Sequence, residues 1–207
     1  GREALVYGAF RWTYAQYRDR VTRQAAMLAA RGIRPGDVVA TLLPNVPAQV
    51  GASFGVPACG AVLNTINTRL DVDTVAYILS HGGAKLMLVD TQFLSLAEDA
   101  CATLDTPPLL IEVADDAAGY TASGRHPEYE DELARADPAF DWILPQDEWE
   151  SIALNYTSGT TGRPKGVVYH HRGAYLMTMG TVVSWRLTLY PRLLVVVPLF
   201  HCNGWCH

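Results

Sequence analysis

The residues best suited to chemistry form a loop rich in threonine and glycine. This Thr/Gly loop, residues 156–166, reads Tyr-Thr-Ser-Gly-Thr-Thr-Gly-Arg-Pro-Lys-Gly. Its glycines allow positive φ angles, so that successive backbone N–H groups can converge on one point. Lys165 adds a positive charge, and no carboxylate occurs between Asn155 and Tyr190. Further donors are the hydroxyls of Thr157, Ser158, Thr160 and Thr161. This combination predicts a polyphosphate-binding loop.

Two other interpretations of the Thr/Gly loop are weaker. A Walker A loop needs adjacent Gly-Lys-Ser/Thr, but two residues separate Gly162 from Lys165, and Gly166 stands where the hydroxyl belongs. A Ser/Thr/Gly-rich turn or linker would not be framed by apolar runs, here residues 152–154 and 167–169. The framing instead predicts a strand, a tight loop and a second strand.

A second group of chemically capable residues lies at 201–207, which read His-Cys-Asn-Gly-Trp-Cys-His. Zinc is the weaker interpretation, because zinc sites usually separate two close ligand pairs by a longer loop. No metal ligand is therefore assigned. Residues 193–197 are the most strand-like run of the chain, and Pro198 is expected to end that strand. Since ligands of parallel α/β sheets bind at the carboxyl ends of strands, His201 is expected beside a binding crevice.

The elements that must position these groups follow an alternating pattern. Strands are expected at 38–43, 61–64 and 85–89, with helices at 48–59 and 71–81, although Pro57 could end the first helix early. This alternation predicts an α/β fold with a largely parallel sheet and flanking helices. A hairpin around Gly8 and a helix capped by Thr13 are expected before it.

The second half of the chain is less regular. Residues 112–150 hold 12 acidic residues and two arginines, which favours a solvated connection with a short helix near 129–135 over an acidic interaction surface. A helix over 173–184 is expected after the Thr/Gly loop. With its N-terminus beside that loop, it would add a partial positive charge to the site.

Composition excludes several classes of protein. Apolar residues make up 49% and charged residues 18%, which is typical of a globular chain, and the net charge of −5 gives no reason to expect nucleic acid. No apolar run approaches the roughly 18–20 residues of a membrane span, and no signal peptide is recognisable. A cytoplasmic location is therefore predicted. The four cysteines lack the spacing of a disulfide framework, and reduced thiols are expected in a cytoplasmic protein.

Three segments resemble the adenylate-forming superfamily, which includes acyl-CoA synthetases, peptide-synthetase adenylation domains and luciferases. The Thr/Gly loop resembles its signature loop at eleven contiguous positions. Residues 64–70, Asn-Thr-Ile-Asn-Thr-Arg-Leu, are similar to a segment of its acyl-CoA ligases. Residues 198–205 resemble the second motif of those ligases, Pro-x-Phe-His-x-x-Gly. The resemblance implies the first part of the large N-terminal domain of an AMP-dependent fatty-acid CoA ligase.

The resemblance also implies an activity. A carboxylic acid, favoured here as a short- or medium-chain fatty acid, would react with ATP to give an acyl adenylate and then pass to coenzyme A, with Mg²⁺ as cofactor. His201 would be the catalytic residue, and His201 and Trp205 would contact the acid. The nucleotide would be bound by Thr157, Ser158, Gly159, Thr160, Thr161, Gly162 and Lys165.

The sequence departs from the family pattern at its end. The later motifs for adenine, ribose and the lid lysine are missing, so residues 1–207 are expected to be the N-terminal portion of the AMP-binding domain. The later part of that domain and the C-terminal lid domain would be absent, and the piece alone inactive. Either the missing part or a partner chain, as in a homodimer, is expected to cover an apolar surface. The alternatives are a non-catalytic nucleotide- or phosphate-binding fragment and an adenylation domain for another carboxylate.

Overall fold

The computed structural model of the protein describes residues 1–157 and 162–201. An antiparallel hairpin of β1 (Glu3–Tyr7) and β2 (Phe10–Thr13) opens the chain and turns at Gly8, whose φ is 55°. Helix α1 (Tyr14–Ala30) follows directly. Thr13 begins it with a capping box, because the Thr13 hydroxyl accepts from the Gln16 N–H and the Gln16 side chain accepts from the Thr13 N–H. The predicted hairpin and cap are confirmed.

Six strands form the central sheet. They are β3 (Val38–Leu42), β4 (Val62–Thr65), β5 (Ala84–Asp90), β6 (Leu109–Val113), β7 (Ser151–Thr157) and β8 (Lys165–His170). Their order across the sheet is β6-β5-β3-β4-β7-β8. The first five are parallel, and β8 runs antiparallel to β7. The structure therefore confirms the largely parallel α/β fold.

Helices cover both faces of the parallel strands. They are α2 (Pro47–Ala58), α3 (Val72–Gly82), α4 (Leu94–Ala102) and α5 (Tyr129–Arg135), with short 3-10 turns at Thr91–Phe93 and Asp116–Ala118. One apolar core lies between the sheet and α1, α2 and α5, and a second lies between the sheet and α3 and α4. Helix α2 continues through Pro57, which falls in its last turn and does not end it early.

The acidic segment is tied to the rest of the chain through α5. On α1, Arg20 pairs with Glu130, and Arg31 contacts Glu132 at 2.5 Å. The Trp142 indole N–H donates to the Thr22 hydroxyl at 2.9 Å. The short helix predicted near 129–135 is confirmed, and part of the acidic charge is used for contacts within the chain.

The predicted strand at 193–197 is wrong. Its five apolar side chains have exposed fractions between 50% and 89%, and no strand pairs with it among the described residues. High β propensity does not form a strand by itself, because a strand needs a neighbour to satisfy its backbone groups and bury its side chains. Helix α6 (His171–Ser184) and β8 also expose large apolar side chains. The expected apolar surface is therefore present on this side of the sheet.

Candidate active site

The Thr/Gly loop is the turn of the β7–β8 hairpin. The ladder pairs Tyr156 with Gly166 and ends with Thr157 opposite Lys165, so that these last two residues stand at the mouth of the loop. The two strands predicted around the loop are confirmed. Gly162 has a φ of 124°, a conformation that other residues rarely adopt. Ser158, Gly159, Thr160 and Thr161 lie outside the described residues.

The two lysines of the chain differ in their surroundings. Lys85 forms a 2.6 Å ion pair with Asp37. Burial alone would raise the pKa of Asp37, but the Lys85 ammonium and the Arg34 N–H lower it below its usual value. Lys165 is exposed and makes no ion pair with any residue in the ranges 1–157 and 162–201. Its charge is therefore available to an anion at the loop.

An aromatic cluster supports the hairpin from the side of α3. The Tyr156 hydroxyl lies 2.8 Å from His81 Nδ1, and the Tyr156 ring packs edge-on against Tyr77. Burial raises the pKa of Tyr156 to about 12, so the phenol keeps its proton at neutral pH. The Arg163 guanidinium lies 5.3 Å from the centre of the Tyr77 ring. Sequence analysis missed this cluster, although the i, i+4 spacing of Tyr77 and His81 put both on one face of α3.

The segment that leads to His201 lies at the carboxyl ends of the parallel strands. Asn45 follows β3, and its side chain bonds the backbone of residues 197 and 199. The Thr65 hydroxyl at the end of β4 lies 2.9 Å from the Phe200 carbonyl oxygen. Leu199 is buried, and the N–H of the exposed His201 donates to the Pro198 carbonyl at 2.9 Å.

The two predicted motifs therefore share one edge of the sheet. Thr157 ends β7, and Thr65 ends its parallel neighbour β4, to which Phe200 is bonded. Trp205 lies outside the described residues, as do Cys202, Cys206 and His207 of the zinc alternative. Across the described ranges, no group of three or more His, Cys, Asp or Glu side chains is arranged to hold a metal ion.

The N-terminus of the helix after the hairpin does not lie beside the Thr/Gly loop, contrary to the prediction. Because β8 is antiparallel to β7, its last residue His170 pairs with Ser151, at the opposite end of β7 from Thr157. Helix α6 begins there. Its first N–H groups are bonded to the carbonyl oxygens of Glu150 and Glu148 and to His170 Nδ1. The positive end of α6 is thus both distant from the Thr/Gly loop and already satisfied.

A family model described as "AMP-binding enzyme" matches residues 1–207. The chain belongs to this AMP-binding enzyme family. The resemblance inferred from the Thr/Gly loop is confirmed. Within the part of this AMP-binding chain that the structure describes, no helix combines the length and hydrophobicity that crossing a membrane requires.

Plant proteins are among the relatives of this AMP-binding chain. It is 45% identical to the peroxisomal acetate/butyrate–CoA ligase AAE7 of Arabidopsis thaliana, over 99% of this chain and 38% of the relative. It is 42% identical to the acetate–CoA ligase CCL3 of Humulus lupulus, over 100% of this chain and 38% of the relative. The chain therefore spans well under half the length of these two relatives.

A solved structure shares the fold. The o-succinylbenzoate CoA synthetase MenE of Bacillus subtilis, in complex with the acyl-adenylate intermediate OSB-AMP, matches with a TM-score of 0.79 and 26% identity. The match covers 99% of this chain and 48% of that chain. The α/β architecture is thus that of an acyl-CoA synthetase N-terminal region.

Proposed function

We propose that the protein is an acyl-CoA ligase, an ATP-dependent acid–thiol ligase that activates a short- or medium-chain carboxylic acid. The main support is the position of the Thr/Gly loop and the His201 segment at one sheet edge, joined through the 2.9 Å contact between Thr65 and Phe200. A small acid is favoured because two relatives are named as ligases of acetate or butyrate.

In this proposal the Thr/Gly loop binds the β- and γ-phosphates of ATP. Lys165 supplies charge, and donors come from Thr157, Ser158, Gly159, Thr160, Thr161 and Gly162. The loop suits this role because Lys165 is unpaired among the described residues and no carboxylate lies between Asn155 and Tyr190. Fixed donors of this kind stabilise the charge of a phosphoryl transition state without reorganising.

The acid requires no strong general base to become a nucleophile. Its carboxylate is ionised at neutral pH and attacks the α-phosphorus, forming a C–O–P bond and releasing pyrophosphate. His201 would donate a hydrogen bond to the carboxylate or to an α-phosphate oxygen, and Trp205 would line the acid pocket. The coenzyme A thiol then attacks the acyl carbon and releases AMP. Mg²⁺ would enter with ATP and neutralise part of its charge, and no residue of this chain is assigned to it.

The proposed enzyme is longer than this chain. We assign residues 1–207 to the N-terminal portion of the adenylation domain, in keeping with the 38% of its relatives' length that the chain spans. The remaining domain and a lid would complete the site, so the 207 residues alone are expected to be inactive. A second copy of the chain in a homodimer is the alternative cover for the apolar surface. A cytoplasmic location is part of this proposal, whereas the name of one relative places that protein in the peroxisome.

Acid-dependent ATP–pyrophosphate exchange by the full-length protein tests this function. Acetate, butyrate, hexanoate, octanoate and benzoate would be compared, and exchange should appear only when an acceptable acid is present. ATP binding without exchange for any acid would instead support a non-catalytic nucleotide-binding protein.

Two lysine variants sharpen the assay. Lys165→Ala should lower kcat/KM for ATP about 10- to 150-fold, because a hydrogen bond to a charged group is worth about 1.5–3 kcal/mol. Lys85→Ala is the matched control. Lys85 pairs with Asp37, whose neighbour Val38 lies opposite Ala84 at the amino ends of β3 and β5, away from the loop. Equal kinetics for both variants would remove Lys165 from the nucleotide site.

A further inference from the structure

Residues 197–200 are held in place although they belong to no strand. The Asn45 side chain bonds the backbone on both sides of Pro198. Its Nδ2 donates to the Val197 carbonyl oxygen at 2.9 Å, and its Oδ1 accepts from the Leu199 N–H at 2.8 Å. A flipped amide would oppose donor to donor and acceptor to acceptor, so both partners fix its orientation. One side chain thus sets the path of the backbone towards His201.

Thr65 makes the second contact that holds this segment. The atoms around its hydroxyl define which group donates in each hydrogen bond. Its hydroxyl lies 2.9 Å from the Phe200 carbonyl oxygen and 3.0 Å from Asn155 Oδ1, yet it carries one proton and cannot donate to both. Asn155 Nδ2 is buried without a partner among the described residues. Turning the Asn155 amide by 180° resolves both problems, because Nδ2 then donates to Thr65, and Thr65 donates to Phe200.

We propose that Thr65 is a positioning residue that fixes His201 relative to the Thr/Gly loop. Thr65 ends β4 and is 4% exposed, and Phe200 directly precedes His201. Asn155 lies on β7, two residues before Thr157, where the Thr/Gly loop leaves the strand. One buried hydroxyl therefore joins both motifs. This role rests on the proposed function, because it concerns the geometry of that site.

A purely structural hydrogen bond would behave differently. Its loss would lower Tm and would slow both half-reactions alike. A positioning bond acts through His201 instead. A misplacement of about 1 Å can cost about 100-fold in rate. Its loss should therefore slow acyl-adenylate formation selectively.

The test compares Thr65→Val, which keeps the shape but removes the hydroxyl, with Thr65→Ser, which keeps the hydroxyl. Single-turnover adenylation and coenzyme A transfer are measured in the full-length protein, together with Tm. Thr65→Val should slow adenylation about 10- to 100-fold and transfer less, whereas Thr65→Ser should stay within about threefold of wild type. In a His201→Ala background, Thr65→Val should add less than about threefold, because the group that it positions is gone.

Equal rates for the Val and Ser variants, or a full multiplicative loss in the His201→Ala background, would overturn the role of Thr65. If Thr65→Val fails to fold, Thr65→Ala decides, because it also removes the hydroxyl that bonds Phe200 and adds no second branch at Cβ. Unchanged adenylation in that variant contradicts the inference, and selective slowing supports it. Absence of acid-dependent exchange in the wild type defeats the proposed function and this role together. Normal exchange with an unaffected Thr65→Val defeats this role alone.

Discussion

The parallel part of the sheet and the antiparallel strand β8 with its following helix α6 are both rich in apolar residues but lie in different environments. In the parallel part, Val39, Leu63 and Leu88 have no measurable exposure, because helices return to both faces of the sheet. No residue of β8 is buried, and α6 buries only Ala174 and Thr181. The candidate site lies on the boundary between these two regions. The parallel strands with their covering helices form the enclosed half of the molecule. This enclosed half thus positions site residues that belong to a largely exposed region.

Substitution of a core leucine should have the largest effect. Leu88→Ala removes a fully buried side chain of β5 and should lower the free energy of unfolding by about 2–5 kcal/mol, through lost burial and a residual cavity. Val196→Ala, at a residue with 75% exposure, should change that free energy by less than about 0.5 kcal/mol in the 207-residue chain. Urea denaturation measures both values.

Repeating the pair in the full-length protein tests the contrast between the two regions. If Val196 becomes covered there, its substitution should cost more than in the 207-residue chain, while the cost of Leu88→Ala stays the same. A Leu88→Ala effect no larger than that of Val196→Ala in the short chain would contradict the description of an enclosed half.

His201→Ala should have the next largest effect, on rate rather than stability. Loss of one donor to a developing charge typically costs about 2.7–4 kcal/mol, so adenylation in the full-length enzyme should slow about 100- to 1,000-fold. The later transfer to coenzyme A should slow less. Rapid-quench measurement of each half-reaction checks this.

His126→Ala is the control for His201→Ala. His126 bonds Glu98 at 2.9 Å within the enclosed half and should leave both rates close to wild type. Equal slowing of both half-reactions by His201→Ala would indicate a structural role for His201. Unchanged adenylation would remove it from the site.

The smallest expected effect is a pH dependence inside the enclosed half. Asp90 has no measurable exposure, and burial raises the pKa of its carboxyl, an effect that nearby Asp115 increases. A raised folded-state pKa means that the stability contributed by the bound proton is present at low pH and is lost as pH rises through that pKa. Asp90→Asn should remove this loss, while its oxygen can still accept from the Gln92 N–H.

Asp37→Asn is the matched variant of opposite sign. Since the pKa of Asp37 is lowered, chiefly by Lys85 acting against burial, its stabilising effect is present above the unfolded-state pKa and disappears as pH falls. Urea unfolding between pH 3 and pH 7 should show the two variants diverging from wild type in opposite directions. Parallel pH trends would contradict the assignment of both carboxyl groups.

Local signals predicted much of the fold, and long-range pairing explains what they missed. Thr13 caps α1 as expected, because capping depends on neighbours in sequence. For the same reason Asp71 caps α3, and Gly83 ends that helix with a φ of 66°. The two strands around the Thr/Gly loop were predictable for the same reason. No local pattern, however, shows that β5 pairs with the far side of β3 or that β8 carries the start of α6 away from the loop.

The same limit applies to the candidate site. Lys165 and His201 were recognisable from motif residues, whereas Asn45 and Thr65 were not assigned individual roles, because single polar residues at strand ends are common. Their importance becomes visible only through partners more than a hundred residues away. The strand expected at 193–197 failed for a related reason, since its apolar residues do not reveal whether an edge is available for pairing.

The bond between Asn45 and Val197 also has a consequence for the order of assembly. This bond closes a chain loop of 152 residues. The pairing of Val38 with Val62, between β3 and β4, closes a much shorter loop. Each doubling of a loop costs about 0.6 kcal/mol of closure entropy, so the longer closure is less favourable by about 1.6 kcal/mol. We therefore expect the neighbouring strands to associate first and to offer Asn45 as a ready-made docking point. During synthesis on a ribosome, the parallel strands would associate while the residues that lead to His201 are still being added.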